Sequence, residues 1–131
     1  MKNTVLIITS GLILSLTLGV SQQNGEWKAP ASADKITNPF IGNTTATVEG
    51  KKLYKQMCTV CHGNTGKGDG MGGMSLNPRP SNFTTEKFQS QTDGAIYWKL
   101  TEGRAPMASY RNILEEEQRW QLVNYMRTLK K

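Results

Sequence analysis

The stretch CTVCHGNTGKGDG, residues 58–70, holds both cysteines and the only histidine of a 131-residue chain in its first five positions, then turns to glycine. Two cysteines three apart could be half of a zinc site, a redox-active dithiol or a disulfide. Each reading makes its own demand on the rest of the chain. A structural zinc needs four Cys, His or carboxylate ligands, and no second cysteine pair follows. A thioredoxin-like dithiol belongs in a βαβ context, which the apolar pattern does not supply. A disulfide closing so short a loop constrains little of the unfolded chain.

The histidine separates these readings from a fourth. CxxCH is the attachment site of c-type haem, in which Cys58 and Cys61 each form a thioether with one vinyl group and His62 is held beneath the iron as proximal ligand. Covalent capture and ligation of one haem per chain then come from a single turn. Gly68, Gly70 and Gly73 formally match GxGxxG, but no strand precedes them and no βαβ unit follows, so the dinucleotide reading lacks its context. The glycines at 63, 66, 68, 70, 72 and 73 read instead as a loop turning tightly beside a bulky flat cofactor.

Working outward, 37% apolar and 8% aromatic residues with 13 Gly and 5 Pro describe one small, loop-rich domain whose own core is thin. A haem would fill its middle. At the N-terminus, Lys2 precedes an uncharged apolar run from Val5 to Val20, which reads as a secretory signal peptide over residues 1–21. An uncleaved membrane anchor through residues 5–20 is the alternative, although the run is shorter than the ~18–20 residues of a spanning helix. Either way the expected location is the periplasm or the outer face of a bacterial cytoplasmic membrane. Residues 22–47, rich in Asn, Thr, Ser, Ala and Pro, read as a flexible tether, and the folded domain is expected over residues 48–131.

Three helices are predicted in that domain. VEGKKLYKQMC runs with rough helical spacing into Cys58. DGAIYWKLTEG has Asp93 as N-cap and Gly103 as stop. The last begins with Asn112 and Glu115 as a capping-box-like pair, carries Glu115 to Glu117 at its positive end and Lys130 and Lys131 at its negative end, and turns Leu114, Leu122, Tyr125 and Leu129 inward. With no strand-like alternation, the expected class is all-α, with three or more helices around the haem and long loops.

With one histidine in the chain, the sixth position of the iron falls to a methionine, another side chain, water or nothing. Met57 adjoins the attachment motif, Met126 lies on the last helix, and Met71 and Met74 follow the motif so closely that reaching the other haem face requires a tight wrap. Met107, in the loop TEGRAPMASY between two predicted helices, is the expected distal ligand. The alternative is a methionine that packs without ligating.

From about Gly50 to Leu129 the chain resembles a class I c-type cytochrome. GKKLYKQMCTVCHG resembles the family's first helix entering its haem motif, and WQLVNYMRTL its last helix. The resemblance implies that these helices cross, with Gly50 and Tyr54 meeting Leu122 and Tyr125. SLNPRPSNF resembles the loop whose proline carbonyl receives the proximal imidazole N–H, which implies Pro78 as acceptor. GRAPMASY resembles the axial-methionine loop, except that Pro106 precedes Met107 where the family often places proline after it.

A haem ligated by His and Met has no vacant position for substrate, so the expected role is an exported one-electron carrier rather than an enzyme. An open sixth site would instead give a haem protein that binds small gases or reduces peroxide. A third reading makes the chain a fixed haem subunit of a respiratory or dehydrogenase complex. The formal net charge is +6, but nothing interleaves basic with aromatic residues as nucleic-acid binding would. Lys67, Arg79, Lys99, Arg104 and Arg111 are expected around the haem, as a docking face for an acidic redox donor or acceptor or as ordinary solvated surface.

Overall fold

The computed structural model describes residues 25–131. The segment read as signal peptide or anchor lies outside the described residues, and no described helix is long and apolar enough to cross a membrane. Five helices follow in order: α1 (Thr44–Met57), α2 (Thr59–His62), α3 (Glu86–Gln89), α4 (Asp93–Glu102) and α5 (Glu116–Arg127). No strand occurs among the described residues, so the all-α class holds.

Helix α1 starts at Thr44, capped by the Asn43 side chain, which accepts from the Ala46 amide at 2.9 Å. The boundary expected at Val48 therefore falls inside a helix. Ala46, Gly50 and Tyr54 recur every four residues and are the buried stripe, the spacing that places side chains on one helical face. That stripe meets α5. A Cβ on Gly50 would lie 1.8 Å from the Gln121 carbonyl oxygen, so only glycine lets the two backbones touch. One turn on, the Tyr54 and Tyr125 rings pack with centroids 5.1 Å apart.

The caps of the other long helices are displaced from their expected positions. On α4 the cap is Thr92, whose hydroxyl accepts from Ala95, and this frees Asp93 to bind Arg127 at 2.6 Å. On α5 it is Glu115, with the Gln118 side chain returning to the Glu115 amide at 2.9 Å. Asn112 sits in the turn before it. The inner face of α5 carries Trp120, Leu122, Val123, Tyr125 and Met126, joined in the core by Tyr54, Phe83, Phe88, Ile96 and Leu100.

The described residues of the segment read as a tether pack onto the domain. Ala33 is buried against α4, where a Cβ on Gly94 would lie 2.0 Å from the Ala33 carbonyl oxygen. Buried Asn38 donates to Asp93 and to Asn124, both at 2.7 Å. Nearer the start, Trp27 lies under Lys99 and Arg104, 5.8 and 5.2 Å from its ring centre, a cation–π arrangement. Composition alone hides this, because the segment is held by single polar anchors rather than by an apolar stripe.

Candidate haem site

Helix α2, with Cys58 as its N-cap, is the turn read as the haem attachment site. The His62 amide donates to the Cys58 carbonyl at 2.8 Å, so Cys58, Cys61 and His62 stand on one helical turn directly after α1. Both thiols are free. Cys58 is only 6% exposed, and burial with Cys61 nearby pushes its thiol up to about 12, so it carries its proton near neutral pH.

His62 is held from two sides. Its Nδ1 lies 3.2 Å from the Ser81 carbonyl oxygen. A carbonyl can only accept, so Nδ1 carries the proton and Nε2 keeps its lone pair. Phe83 covers the ring with centroids 4.4 Å apart. Burial lowers the imidazole pKa, while the Ser81 bond opposes that shift. The expected acceptor was Pro78; the structure puts Ser81, three residues later, in that place. The cause is the pairing of segment 80–83 with the glycine turn, in which Phe83 donates to the Gly66 carbonyl at 2.7 Å and the Pro80 carbonyl faces Gly68.

The glycines serve this packing. Gly68 has φ +76, and a Cβ there would lie 2.4 Å from the Pro80 carbonyl oxygen. A Cβ on Gly70 would lie 2.5 Å from the Val60 carbonyl oxygen. Gly68 thus lets the turn lie against segment 80–83, and Gly70 lets it lie against the Thr59–Val60 backbone.

The methionines are distributed unevenly. Met71 and Met74 are 88% and 55% exposed, and Met126 is buried in the core. Met57 and Met107 are half-buried against that core. Met107 closes a turn, its amide donating to the Arg104 carbonyl at 2.9 Å. Three residues on, the Tyr110 hydroxyl reaches 3.5 Å from the Met57 carbonyl, where burial, with Cys58 and Cys61 nearby, pushes the phenol up. The loop between α4 and α5 therefore closes onto the attachment turn. Two buried side-chain polar atoms are without a partner among the described residues, Thr101 Oγ1 and Arg119 Nε, and they stand just before and just after that loop.

Of the five basic residues expected to form one face, three are engaged within the chain. Arg111 pairs with Glu102; Arg104 donates to the Gly25 carbonyl and covers Trp27; Lys99 binds Gln91. Lys67 and Arg79 form no ion pair among the described residues.

Two free thiols and a proton-fixed imidazole on one turn, with a methionine loop closing toward them, fit a covalently held haem. Solved structures place the chain in the same class. It is similar to a chain in the "Kuenenia stuttgartiensis reducing HAO-like protein complex Kustc0457/Kustc0458" at 30% identity and TM-score 0.61, over 68% of this chain and 46% of that one. This chain thus spans about half the length of that relative. It is also similar to "KustC0563 c-type cytochrome" at 30% identity and TM-score 0.54, over 63% of this chain and 98% of the other. No curated protein matches. The fold and site define a class I c-type cytochrome. A family model described as cytochrome c oxidase, cbb3-type, subunit III matches residues 45–126, and the chain belongs to that family of c-type cytochrome domains. Its cofactor is haem c, covalently bound, with iron.

Proposed function

We propose that this chain is an exported one-electron carrier whose haem c is attached through Cys58 and Cys61 and ligated by His62 and Met107. The haem, when bound, supplies a single reversible electron at iron. The chain's residues set its surroundings. Ser81 keeps the proton on Nδ1 of His62 and so aims Nε2 at the metal; Phe83 holds the ring plane; the loop bearing Met107 and Tyr110 keeps water and small ligands away. The observation that carries this reading is the 3.2 Å contact of His62 Nδ1 with the Ser81 carbonyl, because it leaves only Nε2 to coordinate.

Export rests on the charged and apolar pattern of residues 1–21. Docking of an acidic donor or acceptor would fall to Lys67 and Arg79, the two expected basic residues that form no ion pair among the described residues. Optical spectra of the reduced protein with and without carbon monoxide test the carrier reading. An unchanged spectrum is expected; ready binding would favour the gas-binding or peroxide-reducing alternative.

A second reading, a fixed haem subunit of a larger oxidoreductase, is favoured by the similarity to a chain of a multi-protein complex. Purification from native membranes separates the two: a carrier emerges alone, and a subunit brings its partners.

A further inference from the structure

Arg119, on the first turn of α5, is 8% exposed and forms no ion pair among the described residues. A buried cation without a counter-carboxylate is costly unless other dipoles satisfy it. Here the dipoles come almost entirely from one piece of chain. Nη1 donates to the carbonyls of Leu114 at 2.6 Å, Arg111 at 3.0 Å and Tyr110 at 3.5 Å. Nη2 donates to the Tyr97 hydroxyl at 2.9 Å, and the guanidinium lies over the Tyr97 ring, 5.3 Å from its centre. That ring is itself stacked on Trp120 at 3.9 Å.

Those carbonyls belong to the far limb of the loop that carries Met107. The near limb is held by the end of α4, where the Ser109 hydroxyl donates to the Thr101 carbonyl at 2.7 Å, the Tyr110 amide to the Leu100 carbonyl at 3.2 Å, and Arg111 pairs with Glu102. Tyr110 and Arg111 are thus held from both sides, and Arg119 on α5 ties their carbonyls to that of Leu114 at the far end of the loop. We propose that Arg119 is a positioning residue for the Met107 loop, clamping residues 110–114 so that the loop stays shut over the haem site. The proposal rests on the reading that Met107 is the distal ligand. Losing the clamp opens the loop without unfolding the helices, because α1 and α5 cross through Gly50 and Tyr54, away from the guanidinium.

The test is imidazole titration of the ferric holoprotein near neutral pH, following the thioether-to-iron charge-transfer band. Imidazole reaches the iron only in the open loop, so its apparent dissociation constant scales inversely with the open fraction. Arg119→Leu and Arg119→Lys should bind imidazole about tenfold more tightly or better, with Tyr97→Phe shifted less in the same direction. Arg127→Gln is the control. It removes an arginine that also binds carbonyls, those of Gln89 and Gln91, together with Asp93, but none in this loop. It should lower thermal stability and leave imidazole affinity alone. Should Arg119→Leu fail to hold haem, Arg119→Lys and Tyr97→Phe decide. A band present in wild type with affinities within twofold in those variants, or an equal gain in Arg127→Gln, overturns the role of Arg119 alone. No band in wild type overturns the Met107 ligation, and this proposal with it.

Discussion

Phe83 lies nearly flat against the His62 imidazole, with ring centroids 4.4 Å apart and planes inclined by 22°. The same side chain meets Phe88 at 4.6 Å and Tyr54 at 6.3 Å. One residue therefore links the aromatic core to His62, while Ser81, two positions earlier, fixes the proton on that histidine.

Removing that link should cost both stability and order. Phe83→Ala is expected to destabilise the holoprotein by about 3–5 kcal/mol, as truncation of a buried phenylalanine does. Guanidinium unfolding measures this, with Phe83→Leu expected to lose clearly less. An unchanged midpoint for the alanine variant would remove the ring from the account of the site.

At the helix crossing, Gly50→Ala forces the α5 backbone away from a Cβ that would lie 1.8 Å from the Gln121 carbonyl oxygen. Because backbone rather than a flexible side chain must move, the expected loss is about 2–4 kcal/mol, at or above the usual cost of overpacking. Gly25→Ala, with nothing within 4 Å of its Cβ, is the neutral comparison. Thermal unfolding of the two variants side by side checks the difference.

Asn38→Ala leaves Asp93 and Asn124 each short of one hydrogen bond. Leaving buried polar groups unsatisfied costs about 1–3 kcal/mol, and denaturant unfolding should register it. A plain tether would show no change.

That last variant probes the part of the molecule the sequence concealed most. CxxCH is local chemistry, so that motif was legible directly, as were the span of α4 and the inward Leu122 and Tyr125 of α5. Residues 30–43 were not, because their hold on the domain runs through Asn38, Ala33 and Asp34, whose carboxylate accepts from the Thr92 hydroxyl at 2.7 Å, residue types that also fill loops. The acceptor expected at Pro78 is Ser81 instead, because it depends on how segment 80–83 lies against Gly66 and Gly68, a long-range pairing with no periodic signal. The intrachain partners of Arg104, Arg111 and Lys99 were hidden for a similar reason: only the folded chain brings them near.

Tyr54 provides a pH test. Its hydroxyl donates to the Gly63 carbonyl at 2.7 Å inside the core, and burial raises its phenol well above the ordinary value. A raised pKa in the folded state favours the protonated form there. Its contribution is thus full below about pH 10, the pKa of an exposed phenol, and declines as pH rises past that value. Tyr54→Phe should lose about 1–2 kcal/mol near neutral pH yet fall less steeply than wild type above pH 10. Parallel curves of stability against pH for the two proteins would contradict this.

The claim on which the function turns is sulfur ligation by Met107. Thioether sulfur on ferric low-spin haem gives a weak charge-transfer band at the red edge of the visible spectrum, and replacing the sulfur removes it while opening the iron. The decisive measurement is that band in the ferric holoprotein of wild type and of Met107→Ala. The account predicts that wild type shows the band and Met107→Ala loses it, with a lower reduction potential and new carbon monoxide binding, while Met71→Ala and Met74→Ala keep it. A band that survives Met107→Ala, or a wild type that lacks it and binds carbon monoxide readily, would contradict the account.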